Sequence, residues 1–355
     1  MEPKKILLIL TGGTICSFAT DKGEQTSNTK KAFTLIEENF RKSESRYSSE
    51  KYVEFFPEFP MDTLSENMTV AHWNVLINNL RSYDFSKYDG VIILHGTDTL
   101  AYTASLLSLI LSGLSIPVIL VSSQLAPYKH EANGNANFKT AVELIVNNIK
   151  PNVYVVYRNE DTNGYTKMET MYVHYGAHLM QCANHSNNFY SKDMVPISMD
   201  HAVFEGRRSL GNDPIYMNEK FDILSSKVLK IQPYVGLDYS LFSLKGVNAV
   251  VHGTYHSSTV ATNPELDSFD CSKYSTMNMA ELCKKQTPPI PLFLEPFVKT
   301  TYVTTGEAIR NGLLPIKNLT SEMAYVKTLV GCALGFRGEA LYDYINTNIN
   351  NEFLD

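Results

Sequence analysis

Two short hydroxyl-bearing turns carry the residues of this chain whose types and spacing could do chemistry: Thr11-Gly12-Gly13-Thr14 and His95-Gly96-Thr97-Asp98-Thr99. Each directly follows an apolar run of strand character, Lys5-Ile6-Leu7-Leu8-Ile9-Leu10 in the first case and Gly90-Val91-Ile92-Ile93-Leu94 in the second. A threonine hydroxyl attacks a carbonyl only when a neighbouring base or positive charge activates it, and the attack needs donors for the oxyanion. Thr14 is the candidate nucleophile. Thr97 and Asp98 add a second hydroxyl and a carboxylate at the start of a helical stretch. A carboxylate there has two readings. It caps the helix, or it holds the α-amino group of a zwitterionic ligand whose carboxylate meets backbone N–H groups of the turns. Taken alone, the first turn also fits a phosphate-cradling loop. It lacks both the G-x-G-x-x-G and the Gly-Lys-Ser/Thr patterns, which weakens a nucleotide reading.

The elements that must position these turns follow from periodicity. After Leu10 a polar stretch, Thr20 to Ser49, holds a loop and a short helix around Thr34 to Lys42, and Met68 to Leu80 has helical apolar spacing. Next come the strand Gly90 to Leu94, a helix over Thr99 to Leu111, a strand over Ile116 to Ser122, a helix over Asn137 to Asn147 and a strand over Asn152 to Tyr157. Strands separated by helical stretches of about 10 to 15 residues predict a parallel α/β sheet. Ligands of such sheets bind outside the carboxyl ends of the strands, so both turns fall on one edge. From Met194 to Phe221 the pattern breaks down. Alternation then resumes with strands over Val228 to Pro233, Val247 to His252 and Ile290 to Glu295, and helices over Met277 to Lys285, Gly306 to Gly312 and Ser321 to Leu334. The expected class is α/β. A larger N-terminal catalytic domain (1–193) has a mainly parallel sheet flanked by helices, a linker follows (194–221), and a smaller α/β domain (222–355) completes the chain.

Composition narrows the partners. Over 355 residues, 44% are apolar and 19% charged, which is ordinary for a globular chain. A net charge of -6 offers no basic field for nucleic acid or an anionic membrane. No apolar run has the length to span a bilayer, and the first one is too short for a signal-peptide core. The five cysteines, at 16, 182, 271, 283 and 332, are scattered without a CxxC pair or metal-ligand spacing, which points to reduced thiols and a cytoplasmic location. His95 is expected to hydrogen-bond the backbone, Trp73 to lie in the core, and Cys16 to be an unactivated thiol.

Taken together the two turns resemble those of the bacterial L-asparaginase family, closest to its cytoplasmic type I branch, and the resemblance extends over most of the chain. Pro60-Met61-Asp62 through Ser65-Glu66-Asn67-Met68-Thr69 is similar to that family's substrate-binding loop, with two extra residues. Leu100-Ala101-Tyr102-Thr103-Ala104-Ser105 continues the second turn, and Pro117-Val118-Ile119 through Ser122-Ser123-Gln124 resembles the next strand end. Tyr302-Val303-Thr304-Thr305-Gly306 and Leu319-Thr320-Ser321-Glu322 resemble elements of the smaller domain. The resemblance implies amide hydrolysis through an acyl-threonine intermediate, with no metal or cofactor. It implies Thr14 as nucleophile, Thr97 as second catalytic threonine and Asp98 as holder of the substrate amino group. Ser65, Glu66 and Gly96 would contact the substrate, and Ser123 would lie near its side-chain amide. A homodimer or homotetramer is expected, with a small amino-acid amide as partner.

Three departures from that family stand out. The family carries a tyrosine in the loop after the first threonine; here the aromatics between Cys16 and Arg46 are Phe18, Phe33 and Phe40, with no tyrosine among them. The family also carries a basic lysine beside the second threonine. Lys167, in Gly164-Tyr165-Thr166-Lys167, fits that local pattern, whereas anchoring on Gly176-Ala177-His178-Leu179-Met180-Gln181 puts Gln181 in the lysine's place. Glutamine does not titrate. His178 or His185 would then be the alternative bases. Finally, His252-Gly253-Thr254-Tyr255-His256-Ser257-Ser258-Thr259 replaces a Gly-Asn-rich turn. There, either a hydroxyl caps a helix, or Tyr255 or His256 reaches the substrate of a partner subunit.

Overall fold

In this computed structural model, the described residues are 2–163, 166–211, 214–265, 268–298 and 302–354, with the side chains of 161–163, 166 and 167 left aside. The chain divides into two units, Met1–Glu219 with Ile349–Asn351, and Lys220–Asn348 with Glu352–Asp355.

The apolar runs become the centre of a seven-stranded sheet in the first unit. β1 (Lys4–Leu10) lies between β2 (Val53–Glu58) and β3 (Gly90–Leu94); β3 pairs with β4 (Val118–Val121), and β4 with β5 (Val153–Asn163), all in parallel. Ile6 to Leu10 and Val91 to Leu94 are fully buried. Parallel strands covered on both faces read as continuous apolar runs rather than alternations, which is why these two were legible. The connections are α1 (Thr29–Arg41), α2 (Val70–Arg81), α3 (Leu100–Ile110) and α4 (Gly134–Val146). In α1, Ala32, Ile36 and Phe40 recur at helical spacing and pack with Phe138 and Val142 of α4 over Ile6, Leu8 and Leu10 of β1.

The strand order β2-β1-β3-β4-β5 reverses direction between β1 and β3. Successive crossovers part to opposite faces at such a switch point and leave a crevice outside the carboxyl ends, the place where open α/β sheets bind ligands. The two threonine turns leave the sheet at this position.

Three features of the sheet were not predicted. β2 is an edge strand carrying Pro57, a residue that edges tolerate and that obscures a strand pattern. The strand expected over Asn152 to Tyr157 runs on to Asn163, because β6 (Thr166–Tyr175) folds back antiparallel along it from Asn163↔Thr166 to Tyr154↔Tyr175. Its outer half, Arg158-Asn159-Glu160, is polar and reads as loop in sequence. Within the stretch read as linker, β7 (Val195–Ile197) pairs antiparallel with β6 as a short edge strand.

The second unit is a four-stranded parallel sheet of β8 (Val228–Ile231), β9 (Ala249–Gly253), β10 (Leu292–Phe297) and β11 (Leu314–Lys317), in sequential order. Its helices are α5 (Thr276–Lys284), α6 (Val303–Arg310), α7 (Ser321–Ala333) and α8 (Gly338–Ile345). α7 buries Lys327 together with apolar Val326, Leu329 and Val330; the Lys327 ammonium pairs with the equally buried Glu352 and donates to the Thr347 carbonyl. Among the described residues no helix is long and apolar enough to cross a membrane.

Candidate active site

Because β1 and β3 are in register from Ile6↔Gly90 to Leu10↔Leu94, the two turns leave the sheet side by side. Thr11 donates to the Leu94 carbonyl through both its N–H (3.0 Å) and its hydroxyl (2.9 Å). The chain then passes through Gly12 and Gly13 at φ 111° and 80°. A Cβ on Gly13 would lie 2.2 Å from the Gly96 Cα, so the turns meet main chain to main chain at a separation that only glycine permits. A third segment, residues 61–67 after β2, completes the contact. The Gly13 N–H donates to the Thr63 carbonyl (2.8 Å), and the Thr63 N–H to the Thr11 carbonyl (3.2 Å). Thr14 is half-buried and opens the 3-10 turn Thr14–Cys16.

Ser65 fastens this third segment to the second turn. Buried itself, it donates through Oγ to Asp98 Oδ2 (3.1 Å) and accepts from the Asp98 N–H (3.2 Å), while its carbonyl accepts from Thr99 Oγ1 (3.0 Å). Of the two readings of Asp98, helix capping finds no support here. The N-cap of α3 is Thr99, its side chain makes no capping bond, and the Asp98 carboxylate is turned to Ser65. Glu66 is exposed on the 3-10 turn Ser65–Asn67. The Ser123 hydroxyl is buried and occupied, donating to the Leu125 carbonyl (2.6 Å) and accepting from the Gly134 N–H at the start of α4 (3.1 Å).

Beneath the second turn runs a neutral hydrogen-bond chain. Trp73 Nε1–H donates to Thr103 Oγ1 (3.0 Å), the Thr103 hydroxyl faces His95 Nε2 (2.9 Å), and His95 Nδ1 meets the Gly96 carbonyl (2.8 Å). A carbonyl only accepts, so Nδ1 carries the proton and Nε2 accepts. Burial pulls the His95 pKa down to about 4, which keeps the ring neutral. His95 and Trp73 thus take the structural roles expected of them. Cys16 is buried and its thiol is pushed up by that burial, far from an activated thiolate.

Gln181 also reaches the second turn from outside it. Its Nε2 donates to the Thr97 carbonyl (2.9 Å), and its Oε1 accepts from the Ala101 N–H (3.4 Å). Lys167 pairs through its main chain with Thr162 near the tip of the β5–β6 hairpin, and its side chain lies outside the described residues. Thr162 is roughly 20 Å along the strand from Val156, the β5 residue level with Val121 and Leu94, at about 3.3 Å per residue. His178 is engaged elsewhere, with Nδ1 on Asp193 Oδ1 (2.9 Å) and Nε2 on the Asn351 carbonyl (2.6 Å); His185 is exposed.

Sequence reasoning missed two residues near these turns. Tyr128 stacks on Phe18 at a centroid distance of 5.9 Å and accepts a long hydrogen bond from Gln25 Nε2 (3.4 Å). A tyrosine therefore does reach the hairpin of residues 17–19 and 25–27 after Thr14, although it comes from more than a hundred positions away, where local spacing carries no signal. Cys182 is half-buried, takes a 3.6 Å contact from Gln181 Nε2, and is raised by burial and by the Asp98 charge. In the second unit, no hydroxyl of residues 254–259 caps a helix; α5 is capped by Ser275. Tyr255 there is 40% exposed. Among the described residues no group of His, Cys, Asp or Glu is arranged to hold a metal ion.

Fold and site together define an α/β protein with a threonine-bearing site at the switch point of a parallel sheet. Residues 5–204 match the family described as Asparaginase, N-terminal. The chain is 32% identical to L-asparaginase 1 of Escherichia coli K12 over 149 residues, which are 41% of this chain and 42% of that one. It is 25% identical to a glutamyl-tRNA(Gln) amidotransferase subunit of Thermococcus kodakarensis over 292 residues, 79% of this chain and 61% of that one. Each match thus spans less than two thirds of the relative's own length. The solved structure of the thermostable L-asparaginase from Thermococcus kodakarensis superposes with a TM-score of 0.73 over 99% of both chains at 20% identity, a likeness of fold. The chain belongs to the asparaginase family.

Proposed function

We propose that this protein is an amidohydrolase that converts L-asparagine to L-aspartate and ammonia. The observation that carries the reading is the three-way main-chain contact of residues 11–14, 61–67 and 95–99, with Ser65 and Asp98 bonded at its centre. In this reading Asp98 holds the substrate ammonium, Ser65, Glu66 and Gly96 line the α-carbon end, and Ser123 stands behind the side-chain amide. Thr14 Oγ adds to the amide carbon and its proton passes to the departing nitrogen. The C–N bond breaks, ammonia leaves, and water hydrolyses the threonine ester to release aspartate. Thr97 supplies the second hydroxyl, with the Gln181 carboxamide on its main-chain carbonyl. Net charge, scattered free cysteines and family membership support a small amino-acid amide as partner, a homodimer or homotetramer, and a cytoplasmic location.

One observation favours a second reading, in which the site binds an amino acid without turnover or acts on a related amide. Gln181 brings a group that cannot take a proton to the turn where the resemblance places a lysine. The similarity to an amidotransferase component widens the amide class in the same direction. Ammonia release from L-asparagine, L-glutamine and N-acetyl-L-asparagine by the purified protein decides between these readings. Release from asparagine that disappears in Thr14→Val is the expected result. Calorimetric binding of aspartate with no release above the Thr14→Val control establishes the second reading instead.

A further inference from the structure

We infer that Gln181 is a positioning residue that clamps the Thr97–Asp98 turn by reading a main-chain carbonyl and a main-chain N–H with one carboxamide. The inference rests on Thr97 and Asp98 being site residues, as proposed above. The first N–H groups of a helix have no partner within it. In α3, Thr99 stands at the capping position but gives its hydroxyl to the Ser65 carbonyl, leaving the Ala101 N–H for another acceptor. Gln181 Oε1 is that acceptor (3.4 Å), so the cap arrives from a separate segment of chain. The same side chain returns a donor, Nε2, to the Thr97 carbonyl (2.9 Å).

The requirement is specific. A carboxamide presents a donor and an acceptor together, an ammonium only donors, and an ionised carboxylate only acceptors. Lysine at this position would leave the Ala101 N–H uncapped, and glutamate would set an anion against the Thr97 carbonyl. Asparagine is one methylene too short to span both groups. The segment that presents Gln181 is itself held, since Leu179–Met180 pairs antiparallel with Tyr190–Ser191. The clamp therefore fixes the turn against a second element rather than against its own loop.

The test compares Gln181→Ala, Gln181→Glu and Gln181→Lys with the wild type in the full chain. Three quantities are followed: amide exchange over residues 97–104, calorimetric binding of aspartate, and kcat and KM for asparagine. Loss of two hydrogen bonds in Gln181→Ala should speed exchange over 97–104 and weaken aspartate binding, each by about 10-fold. Gln181→Glu should be at least as impaired at pH 7.5. Its defect relative to wild type should shrink as the pH falls to 5, because the protonated acid again donates and accepts, while the Gln181→Ala defect stays constant. Asp98 on the turn and Cys182 beside it are the titratable groups facing that new carboxyl, and the Asp98 charge favours its protonation. Gln181→Lys should not exceed wild-type kcat. A rise of kcat in Gln181→Lys, or unchanged exchange and binding in Gln181→Ala, overturns the clamp. Wild-type protein that binds no aspartate overturns the functional reading instead, and the exchange data still decide the clamp.

Discussion

Ser65 and Asp98 exchange two hydrogen bonds, side chain to side chain and main chain to side chain, so the carboxylate is aimed before any ligand arrives. If Asp98 anchors an ammonium, Asp98→Asn should weaken aspartate binding by roughly 100-fold, the loss of a charge-assisted pair. Ser65→Ala, which keeps the charge and loosens its aim, should cost about 5-fold, at the scale of one neutral hydrogen bond. Equal effects of the two substitutions in calorimetry would contradict this assignment. The buried histidines make a second residue-scale prediction. Desolvation holds His95 and His252 at about 4 and His174 at about 3, below the ordinary 6.5. The unfolded chain binds these protons at a higher pH than the folded one. Their contribution is therefore present above pH 6.5 and lost as the pH falls through 4, on the order of 3 kcal/mol each. The urea midpoint should drop between pH 6.5 and 4, with these three imidazole resonances unchanged from pH 8 to 5. At this scale the place of Thr14, Thr97 and Asp98 at two strand ends was legible, because each lies within a few residues of an unmistakable strand. The choice between Lys167 and Gln181 was not, since it depends on how a polar hairpin is threaded.

The decisive element-scale feature is the packing of one turn on another. Gly13 lies against Gly96, and a Cβ on Gly96 would fall 2.3 Å from Ser65 Oγ and 2.9 Å from Gly13 Cα. Gly13→Ala adds strain at φ 80° to that clash and should cost about 2–4 kcal/mol with loss of aspartate binding, read by thermal melting and calorimetry. Gly23, also at positive φ but with nothing near its missing Cβ, is the control that should lose stability and keep the site. Sequence spacing located both turns and the helix over Leu100–Ile110. It could not show that the glycines were needed for contact with each other rather than for turning. The β5–β6 hairpin was hidden for a related reason. Its pairing becomes more distant in sequence from Asn163↔Thr166 to Tyr154↔Tyr175, and the polar Arg158-Asn159-Glu160 interrupts the apolar pattern that marks its inner half.

At the scale of the whole molecule, the strand–helix alternation was enough to define the α/β class and a smaller second sheet. The closing stretch of the chain was not legible. Glu352 is fully buried against Lys327 in the second unit, an arrangement no periodicity announces. Removing one member of such a pair strands the other charge away from water. Glu352→Ala should therefore lower stability by about 3–5 kcal/mol, and Lys327→Met with Glu352→Leu should recover most of it in urea titrations. The glycine-on-glycine contact has a further consequence, for how this protein can change. The surface where three chain segments meet is made of peptide groups, which a point mutation cannot exchange for others, and added bulk collides there at once. Variation in what the site accepts is channelled to the side chains around it, Glu66 and Cys182. A directed-evolution library aimed at new amides belongs at those two positions, with the turns themselves and Gln181 left untouched.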